Sequence, residues 1–98
     1  MEVARFTYES ASCRIEDNGY TWLTRFVAKE KRVGHGTGLM KAVVEWADAN
    51  DKELCLVVGA YEDVTDGLTE DQLISFYQRY GFEIYRFVHP IEMVRQIN

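Results

Sequence analysis

Lys31-Arg32-Val33-Gly34-His35-Gly36-Thr37-Gly38-Leu39-Met40 is the stretch on which the fold turns. Upstream of it, Tyr20 to Val27 is dense in aromatic and β-branched residues and predicts a strand. Downstream, Leu39, Val43 and Trp46, with Met40, Val44 and Ala47, recur at helical spacing as far as Asn50-Asp51. A glycine-rich segment therefore joins a strand to a helix. Glycine lets the backbone turn sharply and lets a ligand approach with no Cβ in the way. The helix that follows leaves its first amide N–H groups without intrahelical partners, at the positive end of its dipole. Basic residues gather in the same place: Arg25, Lys29, Lys31, Arg32 and Lys41 stand against Glu30 alone. Together these features favour a small anionic ligand such as a phosphate; the glycines taken alone also fit an ordinary structural turn. Two nucleotide signatures are absent. No Gly-Lys-Ser/Thr closes the segment, which excludes a P-loop, and Leu39 occupies the place of the third glycine in a dinucleotide fingerprint.

Working outward, Leu54-Cys55-Leu56-Val57-Val58 is a short unbroken apolar run and predicts a strand buried on both faces. Thr69-Glu70-Asp71-Gln72 has the capping residue and early acids of a helix start. Leu73, Phe76, Tyr77 and Tyr80 form its apolar stripe, and Gly81 is a natural stop. Phe82 to Val88 alternates and predicts a final strand. Before the central strand, Phe6, Tyr8, Cys13 and Ile15 alternate with polar residues, and Asp17-Asn18-Gly19 is a hairpin signal. The order β-β-β-α-β-α-β implies an α/β (α+β) fold: a mixed, mostly antiparallel sheet flanked by two helices. With no repeat, linker or composition break, residues 1–98 read as a single domain.

Composition narrows the function. Ninety-eight residues exclude a dinucleotide fold beside a substrate domain, and an eight-stranded α/β barrel. A net charge of -5 argues against direct nucleic-acid binding, which draws most of its affinity from basic residues. Cys13 and Cys55 are isolated thiols and, with His35 and His89, make no zinc spacing, so no metal is expected. No apolar run approaches a membrane span or a signal core, and the expected location is cytoplasmic, with no membrane partner.

The glycine segment resembles the pyrophosphate loop of the GNAT acetyltransferase superfamily, Gln/Arg-x-x-Gly-x-Gly/Ala followed by a Leu pair, which Gly34-His35-Gly36-Thr37-Gly38-Leu39-Met40 fits. Phe76-Tyr77-Gln78-Arg79-Tyr80-Gly81-Phe82 is similar to that superfamily's aromatic-Tyr-x-x-x-Gly-Phe signature. The resemblance spans roughly Thr21 to Val88. There are departures. Lys31 holds the Gln/Arg position in one register, and Val33 holds it in the register that starts at Gly36. Glu70 stands where an Asn commonly opens the second helix, and His35 replaces an aliphatic residue, as a packed or solvent-facing side chain.

The resemblance implies acetyl-CoA as co-substrate and an amine as acceptor. The pantetheine arm would pair with backbone near Phe26 and Val27, and the pyrophosphate would sit on amides of Arg32, Val33, Gly34, His35, Gly36, Thr37 and Gly38, with Lys31 adding charge. Tyr77 would be the general acid; helical spacing alone would make it a core aromatic. Glu30, Glu62, Asp63 and a base acting through ordered water are all open as general base, and none is assigned. The helices that usually precede the central strands in this superfamily are missing, and an open acceptor face fits a protein lysine or N-terminus. Nine acids against Lys52 between Glu45 and Asp71 would draw a basic partner. The brevity also resembles small acetyltransferases of phages and mobile elements, including anti-CRISPR enzymes. A non-catalytic CoA-binding or protein-interaction module of the same fold, and a purely structural domain, are the other readings.

Overall fold

Alternating apolar and polar residues build three antiparallel strands in succession: β1 (Glu2–Tyr8), β2 (Ala11–Asp17) and β3 (Thr21–Ala28). The computed structural model describes residues 1–28, 34–58, 70–86, 88 and 90–97. The turn between β2 and β3 forms as the sequence predicts. Gly19 takes φ 110, and the Asp17 carboxylate accepts its N–H at 2.9 Å.

The first helix, α1 (His35–Ala49), begins four residues earlier than its apolar stripe. Gly34, at φ 82, caps it, so the glycines at 36 and 38 lie in the first helical turn rather than in a loop before it. Periodicity could not show this, because glycine carries no side chain to mark a face. Then come β4 (Leu54–Val57), α2 (Glu70–Gln78), β5 (Glu83–Arg86) and β6 (Glu92–Arg95). The sequence predicted one closing strand; there are two. Ile91, Met93 and Arg95 alternate as buried residues, but an arginine in a buried slot hides the pattern.

The strands form one sheet in the order β1-β2-β3-β4-β6-β5. Only β3 and β4 run parallel, the other neighbours being antiparallel. The result is a mixed sheet with two helices, the fold class the sequence implies.

Both helices pack on one face of it. Phe6 on β1 meets Trp46 of α1, and Phe26 on β3 meets Phe76 and Tyr77 of α2. The core between sheet and helices takes Ala11, Cys13, Ile15 and Leu23 from the sheet's first half. Leu54, Leu56 and Met93 come from its second half, and Leu39, Met40, Val43, Ala47 and Leu73 from the helices. Cys13 and Cys55 are buried and unpaired, and burial pushes the Cys13 thiol up to about 12.

At its end, α2 closes in a Schellman motif. Phe82 N–H donates to the Tyr77 carbonyl at 3.3 Å, and Gly81 N–H donates to that of Gln78 at 3.1 Å, with Gly81 at φ 92. A Cβ at Gly81 would meet only the Arg95 side chain, at 3.5 Å, so the backbone angle alone demands glycine there. Gly81→Ala should therefore cost about 1 kcal/mol and lower the thermal midpoint by roughly 4–8 °C, as followed by circular dichroism. An unchanged midpoint would mean that α2 ends in some other way.

Candidate functional site

The register between β2 and β3 slips by one residue. Arg14 faces Thr24 while Ser12 faces Val27, leaving Arg25 and Phe26 together opposite Cys13. Arg25 takes φ 52, a left-handed angle that costs a non-glycine residue ~1–2 kcal/mol. Such a bulge bends its strand and increases the local twist. On its other side β3 pairs with β4 at one position only, Trp22 against Cys55. From there to Ala28 its edge toward β4 has no strand partner among the described residues, although β4 itself continues to Val57 against β6. The two parallel strands thus part at their C-terminal ends, and a row of β3 backbone donors and acceptors lines the gap.

Tyr77 stands beside that gap. Its ring lies 6.5 Å from that of Phe26, 5.5 Å from Phe76 and 5.8 Å from Phe82. The last contact is the apolar pair that accompanies a Schellman closure, so the Tyr-x-x-x-Gly-Phe spacing has a structural cause: tyrosine, glycine and phenylalanine each fill a fixed place in one helix end. The Tyr77 phenol donates to no described group. The residue is half-buried. Burial of the ring, then the nearby Cys13, pushes its pKa up to about 12.

The start of α1 presents donors. Gly38 N–H is taken by the Gly34 carbonyl at 3.0 Å, so His35, Gly36 and Thr37 carry the amides without intrahelical partners. No side chain caps this end, and no acid occupies its first turn. The β1–β2 turn braces it instead. Ser10 N–H donates to His35 Nδ1 at 3.3 Å, which puts the ring proton on Nε2, and Ser10 Oγ lies 2.7 Å from the same nitrogen. The Tyr8 ring occupies the space that a Cβ on Gly38 would need. Gly38 thus serves close packing, and its own amide is already used. Lys31, Arg32 and Val33 lie outside the described residues, as do Glu30, Glu62 and Asp63. Val27 is described by its backbone, which pairs with Ser12. Glu70 is the first residue of α2.

A buried arginine fixes the two helices to each other and to the sheet. Arg95 on β6 donates from Nε to the Tyr80 carbonyl at 2.7 Å, and from Nη1 and Nη2 to Asp48 of α1 at 2.8 and 3.2 Å. Sequence reading missed this clamp, the Arg25 bulge and the Ser10–His35 brace. All three join residues distant in sequence, and none has a local signature.

No protein-family profile and no curated protein sequence matches the chain. Solved structures do. The anti-CRISPR protein AcrVA5 superposes with a TM-score of 0.73 at 18% identity, over 93% of this chain and 95% of that one. An acyl-CoA N-acyltransferase from Pseudomonas aeruginosa superposes with a TM-score of 0.58 at 26% identity, over 87% of this chain and 59% of that one. The chain thus spans about three-fifths of that acyltransferase. The fold is GNAT-like, an acyltransferase-type core.

Removing Arg95 takes a donor from both the Tyr80 carbonyl and the Asp48 carboxylate, whereas removing the charge of Asp48, whose side chain is 41% exposed, leaves Arg95 its bond to Tyr80. Arg95→Met should cost about 2–3 kcal/mol and Asp48→Asn about 1 kcal/mol in urea unfolding. Equal losses would show that the bond to Tyr80 carries no weight.

Proposed function

We propose that this chain is a single-domain, acetyl-CoA-dependent N-acetyltransferase whose acceptor is a protein amine. The observation that carries the reading is the coincidence of parted parallel strands with a half-buried phenol, held by its ring contact with Phe26 at the bulged end of β3. The free edge of β3 near Phe26 and Val27 offers the alternating donors and acceptors that suit an amide-bearing pantetheine arm. The amides of His35, Gly36 and Thr37 suit a pyrophosphate, to which Gly34 contributes by setting the helix start. We assign Lys31, Arg32 and Val33 to the same phosphate end, and give Gly38 the packing role against Tyr8.

In transfer, a neutral amine attacks the thioester carbon; the N–C bond forms and the C–S bond breaks. Backbone N–H groups of β3 beside the gap would hold the oxyanion. The departing thiolate needs a proton and the amine must lose one. Tyr77 stays protonated throughout the physiological range. Its pKa lies about three units above that of an ordinary thiol, so direct donation runs uphill unless the amine's proton is returned to the phenol in the same event. Tyr77 is therefore assigned as a general acid that relays the acceptor's own proton.

The near-complete overlap with an anti-CRISPR protein of similar extent supports a role in modifying a host protein. Two free thiols suit a reducing cytoplasm. Calorimetry should detect acetyl-CoA binding, and mass spectrometry of lysate proteins should detect acetylated amines. Tyr77→Phe should lower kcat about a hundredfold with little change in the KM for acetyl-CoA. Because the raised pKa keeps the phenol neutral below its ordinary value of 10.0, Tyr77 should cause no alkaline fall in rate below that pH. Absence of binding at millimolar cofactor would remove the enzyme reading. Binding without turnover would leave a CoA-binding module.

A further inference from the structure

The helices cover one face of the sheet, and among the described residues none packs on the other. Registers across the sheet place five side chains of that second face in one row: Glu16 against Trp22, Trp22 against Cys55, Cys55 against Val94, and Val94 against Glu83. The middle of the row is apolar and both ends are carboxylates. Beside it, Val57 faces Glu92, with Tyr85 61% exposed at the margin. Strands lie about 4.8 Å apart, so the two terminal carboxylates stand ~19 Å apart.

The charges on this face are unevenly satisfied. On β1 and β2, Glu2 pairs with Arg5 and Arg14. Glu92 pairs with Arg86. Glu16, Glu53 and Glu83 make no ion pair among the described residues. Two groups on this face feel neighbouring carboxylates: burial first, then Glu53 and Glu92, raises the Cys55 thiol, and Glu92 is the main cause of the raised Tyr85 phenol.

We propose that this face, over which no described residue packs, is a docking surface for a basic protein segment, with cationic side chains meeting Glu16 at one end and Glu83 at the other, and an apolar residue seated on the half-buried Trp22 and Val94 that flank the buried Cys55. The surface recognises its partner by charge at the rim and apolar contact at the centre, the usual anatomy of a protein interface. The inference rests on the acetyltransferase reading only in identifying the docked protein as the acceptor; docking itself needs neither cofactor nor transfer.

The test uses a synthetic peptide with lysines at both ends of an apolar stretch, and its glutamate-for-lysine counterpart, titrated against the whole chain without cofactor. Binding of the lysine peptide should shift the NMR signals of Trp22, Val57, Val94 and Glu83 and leave those of α1 and α2 in place. The double variant Glu16→Lys, Glu83→Lys changes two surface residues. It should weaken that binding roughly tenfold, as expected for two exposed charge pairs, while acetyl-CoA affinity stays unchanged. The proposal is overturned by no binding at millimolar peptide, by equal binding of the glutamate peptide, or by shifts confined to the helical face. Sedimentation showing the face buried against a second copy would overturn it as well. Loss of cofactor binding in the wild-type chain, with peptide binding intact, would instead remove the enzyme reading and leave the docking surface standing.

Discussion

Among the described residues, one facing pair, Trp22 and Cys55, is all that joins the two halves of the sheet in register. On one side lie the antiparallel strands β1, β2 and β3, and on the other β4, β6 and β5. A gap between β3 and β4 is what the proposed chemistry requires, yet a sheet open at its centre must be held together elsewhere. The rest of the structure answers that need. The buried side of α1, with Leu39, Met40, Val43 and Ala47, packs in the same core as Cys13 and Ile15 from one half and Leu54, Leu56 and Met93 from the other. Arg95 adds a polar tie, from β6 in the second half to Asp48 near the end of α1 and to the end of α2. Burying this guanidinium is tolerable because each of its three nitrogens donates to an oxygen.

What was legible in the sequence follows from the range of each interaction. The Asp17-Asn18-Gly19 turn, the apolar face of α1, the buried run of β4 and the close of α2 at Gly81 all depend on residues within a few positions of one another, and each formed as predicted. The Tyr77 motif was legible for the same reason, since its three marked residues serve one helix end. The bulge at Arg25 was not. Such an angle invites glycine, and an arginine there gives no hint of it. Nor could β6 be recognised, because its buried arginine makes sense only once Asp48, 47 positions away, is its partner. The extent of α1 fell between these cases: its glycines are helical because Gly34 caps them, and they carry no pattern of their own.

The glycines of the first motif do different work. Gly34 adopts a left-handed angle that starts the helix, and a side chain there would find open space, so conformation is its whole constraint. Gly38 is helical, and its constraint is the Tyr8 ring pressed against it. One motif thus encodes a backbone angle and a close approach by a neighbouring strand. The second ties the N-terminal end of α1 to the β1–β2 turn, where Ser10 holds His35. Glycine-rich spacing of this kind reports on how a helix end is built as much as on what it binds.

Placing both helices on one face also separates two tasks. The helical side supplies the amides of α1 and the phenol of α2, beside the gap that β3 and β4 leave. The other side supplies a flat row, apolar at Trp22, Cys55 and Val94 and acidic at its ends. A sheet face that no described element covers would ordinarily be an association hazard, since an apolar surface attracts whatever can cover it. Charges at the rim narrow that choice: they repel acidic partners, including a second copy approaching with its own carboxylates, and admit basic ones. The net charge of -5 acts in the same direction as the local arrangement. On the proposed reading, cofactor and partner would meet different sides of one small sheet.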